Sequence, residues 1–365
     1  MHEHLAQDGG AERVLRVLAE MFPEAPIYTL LYKQKHADRY FKDRHIETSI
    51  IQKLPWGVKR YRWYMPFMPM AVEFFDLTNY DVIISSSSAF AKGVITQTDS
   101  LHICYCHTPT RYLWSDTHKY INELKYNKFF KKIISLMLNR IRVWDKVAAD
   151  RVDKFIANST VVKHRISKYY RRSSEVIYPP VDTHKFRIAN KLGDYFLVGC
   201  RLVSYKRVDL VIETFKELGP NFKLKIFGDG VDEKRLRKIA GDSVNIEFLG
   251  RVSDEEKAEL YSHSLAFLNP QEEDFGITTI EAMAAGRPVI AYARGGATET
   301  VIEGKTGTFF HEQTVKSLGD VIRKFDRNRY NPQEIKNYSD KFSVANFKEA
   351  ITSFINKNYR HEDRN

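Results

Sequence analysis

Between residues 195 and 292, strand-like and helix-like runs alternate without interruption. They read YFLVGCRL, DLVIETFKEL, KLKIFGDG, DEKRLRKIA, NIEFLG, SDEEKAELYSHS, LAFLNP, ITTIEAMAA and PVIAY. The strand-like runs are short, apolar and bounded by Gly, Asn or Pro. A helix between consecutive strands is the connection that parallel pairing requires, so the pattern predicts an α/β fold with a parallel sheet. The first half carries the same signal in DVIISSS (81–87), LHICYCH (101–107) and KFIANS (154–159), with a helical stretch over 125–150. A chain of 365 residues is too long for one ordinary core. Two doubly wound domains facing a cleft are expected. The Pro-rich YPPVDTHKF (178–186) is the natural linker. The expected boundaries are therefore 1–180, 181–340 and a closing helix in 341–365, where Phe347, Ile351, Phe354 and Ile355 share an apolar face.

The beginning is less regular. GGAERVLRVLAEMF reads as a glycine turn opening an amphipathic helix, with Val14, Leu15, Val17, Leu18 and Met21 apolar. Such a turn normally follows a strand, yet only MHEHLAQD precedes it, so the first strand is expected to be missing or very short.

No apolar run approaches the ~18–20 residues of a membrane span, and no signal peptide opens the chain. Three cysteines, Cys104, Cys106 and Cys200, do not make a disulfide framework, so a cytoplasmic location is expected. The formal charge of +11 is uneven: about +10 falls in residues 1–180 and about +1 in the rest. A basic half suits a phosphorylated substrate, an anionic lipid surface or plain solvation. Nothing in the chain matches a nucleic-acid recognition motif, so no nucleic-acid partner is expected.

Candidate chemistry concentrates in the second half. Arg201 and Lys206, in RLVSYKR, follow a strand end, where a parallel sheet opens its ligand crevice. FGDG (227–230) is a strand-to-helix turn but not GxGxxG, so a dinucleotide cofactor is weakly supported. In QEEDFGITTIEAMAAGRPVIA (271–291), the helix after Gly276 offers backbone N–H groups at Ile277, Thr278 and Thr279 to a phosphate. Glu273 and Glu281 stand eight positions apart around that helix start. A carboxylate there can complement the helix dipole or accept hydrogen bonds from a diol such as a ribose. Together these residues describe a nucleotide-diphosphate pocket.

These blocks, with GGATETVIEGKTG, GGAERVL, IANSTVVKHRISKYY and VIYPPVD, resemble the signature segments of retaining glycosyltransferase family 4, whose fold is GT-B: two Rossmann-like domains and a last helix crossing back to the first. The resemblance implies that Arg201 and Lys206 bind the donor pyrophosphate, Glu273 the donor-sugar hydroxyls and Glu281 the ribose. It implies that Gly9 and Gly10 touch the phosphates or sugar through their backbone, that Arg251 and Val252 pack by the base, and that Phe275 and Gly276 belong to the donor-binding loop. It makes His107, which ends HICYCH, the histidine that contacts the sugar. HICYCHTPTRYLW further resembles bacterial mannosyltransferases that build O-antigen or exopolysaccharide, which implies GDP-mannose as donor. No Asp-x-Asp occurs in the chain, so no metal cofactor is expected, and transfer is expected at the front face with retention.

A zinc reading of HICYCH fails on geometry, since His102, Cys104 and Cys106 point to one face of a strand and His107 to the other. The acceptor is expected to be a glycan or lipid-linked glycan. KLPWGVKRYRWYMPFMPMAVEFF (53–75) mixes Lys and Arg with Trp, Tyr, Phe and Met. It fits a peripheral contact with the inner face of the cytoplasmic membrane, or a helix pair broken by Pro66 and Pro69 that closes the core. Two other functions share these features: a GT-B epimerase acting on a sugar nucleotide, and a nucleotide-sugar-binding scaffold with impaired catalysis.

Overall fold

The computed structural model describes residues 1–6, 9–124 and 126–359. The chain divides into two compact units. The first comprises Met1–Pro179 and the C-terminal stretch from Phe347; the second is Pro180–Asn346.

The second unit carries a six-stranded parallel sheet. Its strands are β7 (Tyr195–Gly199), β8 (Lys223–Phe227), β9 (Ile246–Gly250), β10 (Phe267–Asn269), β11 (Val289–Tyr292) and β12 (Gly307–Phe310). They lie in the order β12-β11-β10-β7-β8-β9. This is a doubly wound arrangement, whose strand order reverses between β7 and β10. All five residues of β7 are buried, as a central parallel strand covered on both faces requires. The core joins Val198, Val211, Ile212, Phe215, Ile226, Leu268 and Ile290. The helix Asp254–His263 starts on a capping box in which Ser253 and Glu256 satisfy each other's backbone N–H.

The first unit has strands β3 (Val82–Ser87), β4 (Leu101–Cys106), β5 (Lys154–Ala157) and β6 (Ser174–Val176), all parallel and in that order. A parallel pair, β1 (Ile27–Thr29) and β2 (Ile46–Thr48), lies beyond them. The short N-terminal segment joins the two sets. His2 bridges both Thr29 and Ser86, and Leu5 bridges Tyr32. His2 N–H donates to Tyr28 O at 2.8 Å, and Ser86 N–H to Met1 O at 2.9 Å. The first strand is thus present as a minimal rung, and the strand order reverses there, between it and β3. The last helix, Val344–Asn358, is tied to this unit by Phe347 against Tyr105 (ring centroids 5.8 Å apart) and by Lys348–Glu20 and Lys357–Glu175 ion pairs.

Residues 53–75 form a turn, a 3-10 helix (Tyr61–Phe67) containing Pro66, and a helix (Met68–Glu73) with Pro69 in its first turn. Met68, Ala71 and Val72 face the core, whereas Trp56, Trp63, Phe67 and Phe74 are exposed.

Candidate active site

Arg201 and Glu273 follow β7 and β10, so both emerge at the switch point of the second unit's sheet. Ligands bind at that crevice in open α/β sheets, because the two diverging crossovers leave it uncovered. The Arg201 loop is held by close backbone contact with FGDG. Leu202 N–H donates to Asp229 O at 2.8 Å, and Asp232 N–H to Leu202 O at 3.1 Å. A Cβ at Gly228 would strike Cys200 O, and one at Gly230 would strike Leu202 O. Gly228 also has φ +116°, so its glycine is required twice over. FGDG therefore shapes the Arg201 loop. Lys206 ends a 3-10 turn, and the next residue, Arg207, is left-handed at φ +53°, a strained setting for a side chain of that size.

Lys206 Nζ forms an ion pair with Glu273 Oε1, both side chains being largely buried. Gln271 Nε2 donates to the same oxygen at 3.0 Å. The loop 271–276 is clamped from behind, since Gly296 N–H donates to Glu273 O at 2.8 Å. Gly276, at φ +94°, starts the helix Ile277–Ala284, and no side chain caps it. A Cβ at Gly276 would sit 3.3 Å from both Glu273 Oε2 and Thr279 Oγ1, so these two oxygens converge on the helix start. Thr279 Oγ1 is buried without a hydrogen-bond partner, as are both amide atoms of Asn269 and Oε1 of Gln271. Unsatisfied buried polar atoms are uncommon. Their clustering after β10 marks a surface built for a polar ligand. Ile277 and Thr278 are half-buried beside it, and Phe275 is buried. Burial pushes the Cys200 thiol up to about 11, although Lys206 and Arg201 pull the other way, so it is a protonated thiol beside two cations.

Glu281 lies deeper, 2 % exposed, with Lys257 Nζ at 3.0 Å from Oε1 and Tyr261 Oη at 3.1 Å from Oε2. Lys257 and Tyr261 are spaced i, i+4 on one helix face, a signal that was available in the sequence but pointed to no partner. Asn269 and Gln271 were equally legible as residues and equally silent as to role. Arg251 is exposed and Val252 half-buried, just after β9.

In the first unit, His107 follows β4 and shares Ser86 with His2: His107 Nε2 and His2 Nδ1 lie 2.8 and 3.1 Å from Ser86 Oγ. Gly9 precedes the helix Gly10–Met21, which has no side-chain cap. Cys104 and Cys106 belong to an apolar cluster with Phe155, Val162 and Ile166. His102 pairs with Ser85 at 2.8 Å, and burial lowers its pKa to about 3, so it is neutral.

A family model for glycosyl transferases group 1 matches residues 182–342, and one for glycosyltransferase family 4 matches residues 8–185. The chain belongs to these glycosyltransferases, and its fold is GT-B. It is 26% identical over 334 residues to the alpha-1,3/1,6-mannosyltransferase ALG2 of Dictyostelium discoideum, covering 78% of this chain and 77% of that protein. It is 34% identical over 174 residues to a GDP-mannose-dependent alpha-(1-6)-phosphatidylinositol monomannoside mannosyltransferase of Mycolicibacterium smegmatis, covering 40% of this chain and 46% of that one. Among solved structures, Anabaena HepE in complex with UDP and glucose superposes with a TM-score of 0.72 at 19% identity, over 97% of this chain and 99% of HepE.

Proposed function

We propose that the chain transfers mannose from GDP-mannose to a glycan or lipid-linked glycan, with retention of configuration and without a metal ion. The observation that carries this reading is the Lys206–Glu273 ion pair at the uncapped start of the helix Ile277–Ala284, on the loop after β10, with Arg201 on the loop after the neighbouring β7 at the sheet's switch point. Two cations and the helix N–H groups of Ile277 and Thr278 would supply the positive field that a leaving diphosphate needs, which is work a metal does elsewhere; the N–H of Thr279, expected to join them, instead donates to Gly276 O at 3.0 Å. Glu273 Oε1 is engaged by Lys206 and Gln271, so Oε2 is the oxygen left for a sugar hydroxyl. In the transfer, the bond from the anomeric carbon to the phosphate oxygen breaks with its electron pair on the phosphate. The acceptor oxygen bonds to the same face, and its proton passes to that phosphate. The choice of mannose and of GDP is supported by the two mannosyltransferase relatives.

A membrane-bound acceptor is supported by the first unit's surface. Trp56, Trp63, Phe67 and Phe74 are each more than half exposed, and the Arg60 guanidinium lies 5.6 and 4.3 Å from the Trp56 and Trp63 ring centres. On the helix Lys128–Asp150, Phe129, Phe130, Ile133 and Leu136 are also exposed, beside Lys128, Lys131 and Lys132. Such a mixture of basic and interfacial aromatic groups suits an anionic bilayer face. No helix among the described residues is long and apolar enough to cross a membrane.

The deciding experiment offers GDP-mannose, GDP-fucose, UDP-glucose and UDP-N-acetylglucosamine in EDTA, with and without a lipid-linked glycan. Acceptor-dependent mannose transfer is expected. Interconversion of the sugar nucleotide would replace the reading by an epimerase, and binding without turnover by a scaffold. Vesicle binding lost on changing Lys59, Arg60 and Arg62 to Glu is the expected sign of the membrane contact; unchanged binding would remove it.

A further inference from the structure

In the second unit, Arg207 adopts a backbone conformation that suits glycine better. It lies between the 3-10 turn Ser204–Lys206 and the helix Val208–Leu218, at φ +53° and ψ +33°. Glycine takes this left-handed conformation freely, whereas any other residue's Cβ crowds the following carbonyl. Such strain persists only where the surroundings over-determine the residue. For Arg207 the guanidinium makes the holding contacts. Nη1 donates to Gln313 Oε1 at 3.1 Å. Nε lies 3.5 Å from Asp209 Oδ1, a buried oxygen with no hydrogen bond of its own.

Gln313 carries the contact onward. It stands 106 positions further along the chain, in the segment between β12 and the helix Val315–Lys324. Its Nε2 donates to Pro270 O at 2.7 Å. An amide has an accepting end and a donating end, and here each end has its own partner. Pro270 directly follows β10, and the next residue, Gln271, donates to Glu273 Oε1, the oxygen that Lys206 pairs with. The two loops beside the switch point are therefore joined twice. One join is the Lys206–Glu273 ion pair, made of the groups that a donor would engage. The other is Arg207–Gln313–Pro270, made of groups to which the donor reading gives no work.

We propose that Arg207 is a positioning residue: through Gln313 it holds the Arg201–Lys206 loop in register with the loop 271–276, so that Lys206 and Glu273 keep their spacing when a sugar nucleotide replaces the ion pair between them. The proposal rests on the donor site proposed above. A cation aimed at a phosphate acts only if its backbone is fixed, since a misplacement of about 1 Å costs about a hundredfold in rate. The strain at Arg207 places a guanidinium where a glycine would leave the two loops untied.

The test compares Arg207→Gly with wild type in the full chain. Glycine relieves the backbone strain and removes the bridge, so stability and function should move apart. The thermal midpoint should hold or rise. Binding of GDP or UDP, whichever wild type holds more tightly by titration calorimetry, should weaken about tenfold, the effect of losing one hydrogen bond to a charged group. The kcat for sugar transfer should fall about tenfold to a hundredfold. Gln313→Leu leaves Arg207 strained and should weaken the nucleotide as much. The double variant should be no weaker than either single change, because both cut one bridge. Arg207→Lys keeps the charge without the planar fork and should fall between glycine and wild type. Nucleotide binding unmoved in Arg207→Gly, lost only in step with a lower melting temperature, or additive in the double variant would overturn the inference and leave the proposed function standing. A wild type that binds neither nucleotide would overturn both. Weakened binding in a chain that transfers no sugar would uphold the bridge and remove the proposed transfer.

Discussion

The two units use one topology and fill it differently. Each sheet reverses its strand order once, and each reversal carries polar groups. Behind the second unit's switch point the interior is almost wholly apolar, with Glu281 and Arg287 its buried charged side chains among the described residues. The first unit buries Glu3, Glu12, Lys92 and Asp145, together with His2 and His102. Glu3 is the clearest case. Its carboxylate accepts from Ser87 Oγ and from the N–H groups of Ser88, Ala89, Phe90 and Ala91, at 2.7–3.0 Å. The short first strand, already bonded through its backbone to Tyr28, Leu31 and Ser86, is thus anchored by a side chain as well. Packing stabilises one unit, while the other also depends on ionised groups that must stay paired.

That contrast breaks first at Asp145. Its oxygens accept from Lys92 Nζ at 2.5 Å, Thr110 Oγ1 at 3.0 Å and Trp114 Nε1 at 2.7 Å. Asp145→Ala leaves a buried ammonium unpaired and should destabilise the first unit by about 3–5 kcal/mol. All four tryptophans, 56, 63, 114 and 144, lie in that unit. Denaturant unfolding followed by their fluorescence therefore reads it alone. A loss under about 1 kcal/mol would show that the buried pair does not hold the unit together. In the second unit the matching change is functional. Arg201→Ala should lower kcat by about 10²–10³-fold with the tryptophan transition unmoved. Near-native turnover would remove Arg201 from the proposed donor site.

Glu3→Gln gives a smaller effect with a pH signature. Burial raises the Glu3 pKa, but the N–H groups of Ala91, Phe90 and Ala89 and the charge of Lys92 bring it below the ordinary 4.5. The stability Glu3 contributes is therefore complete above 4.5 and drains away as pH falls through its folded pKa. The amide cannot titrate. Glu3→Gln should lose about 1.5–3 kcal/mol at neutral pH and show a shallower acid slope than wild type. Equal slopes would assign the acid sensitivity elsewhere.

The same contrast explains what could be read without coordinates. In the second unit, strand and helix periods alternate cleanly, and the candidate site residues sit on contiguous loops, RLVSYKR and QEEDFG, whose places after β7 and β10 were visible. What the loops could not show was partnership. Lys257, Tyr261 and Gln271 look ordinary until the fold sets them beside Glu281 and Glu273. For FGDG, the positive φ at Gly228 was foreseeable, whereas Gly230 is required by the approach of Leu202 from the loop after β7. In the first unit, MHEHL has no strand period to detect. It becomes a strand because β1 and β3 pair with it, and Glu3 is fixed by residues more than eighty positions away.

The smallest expected effect decides what Glu281 is for. Tyr261 is fully buried and packs against Phe186, Phe227 and Phe267, with ring centres 5.8, 5.7 and 5.4 Å away. Tyr261→Phe keeps that packing and removes only the hydroxyl that donates to Glu281 Oε2, while Lys257 keeps Oε1. The change should cost about 0.5–1.5 kcal/mol, the net worth of one hydrogen bond. With no tryptophan in the second unit, the loss should appear in the circular-dichroism melt and not in tryptophan fluorescence. If nucleotide affinity falls by more than the melt accounts for, Tyr261 is aiming Glu281 at a ligand. If affinity holds while the melt drops, Glu281 is a buried structural acid, and the ribose must be held by other groups.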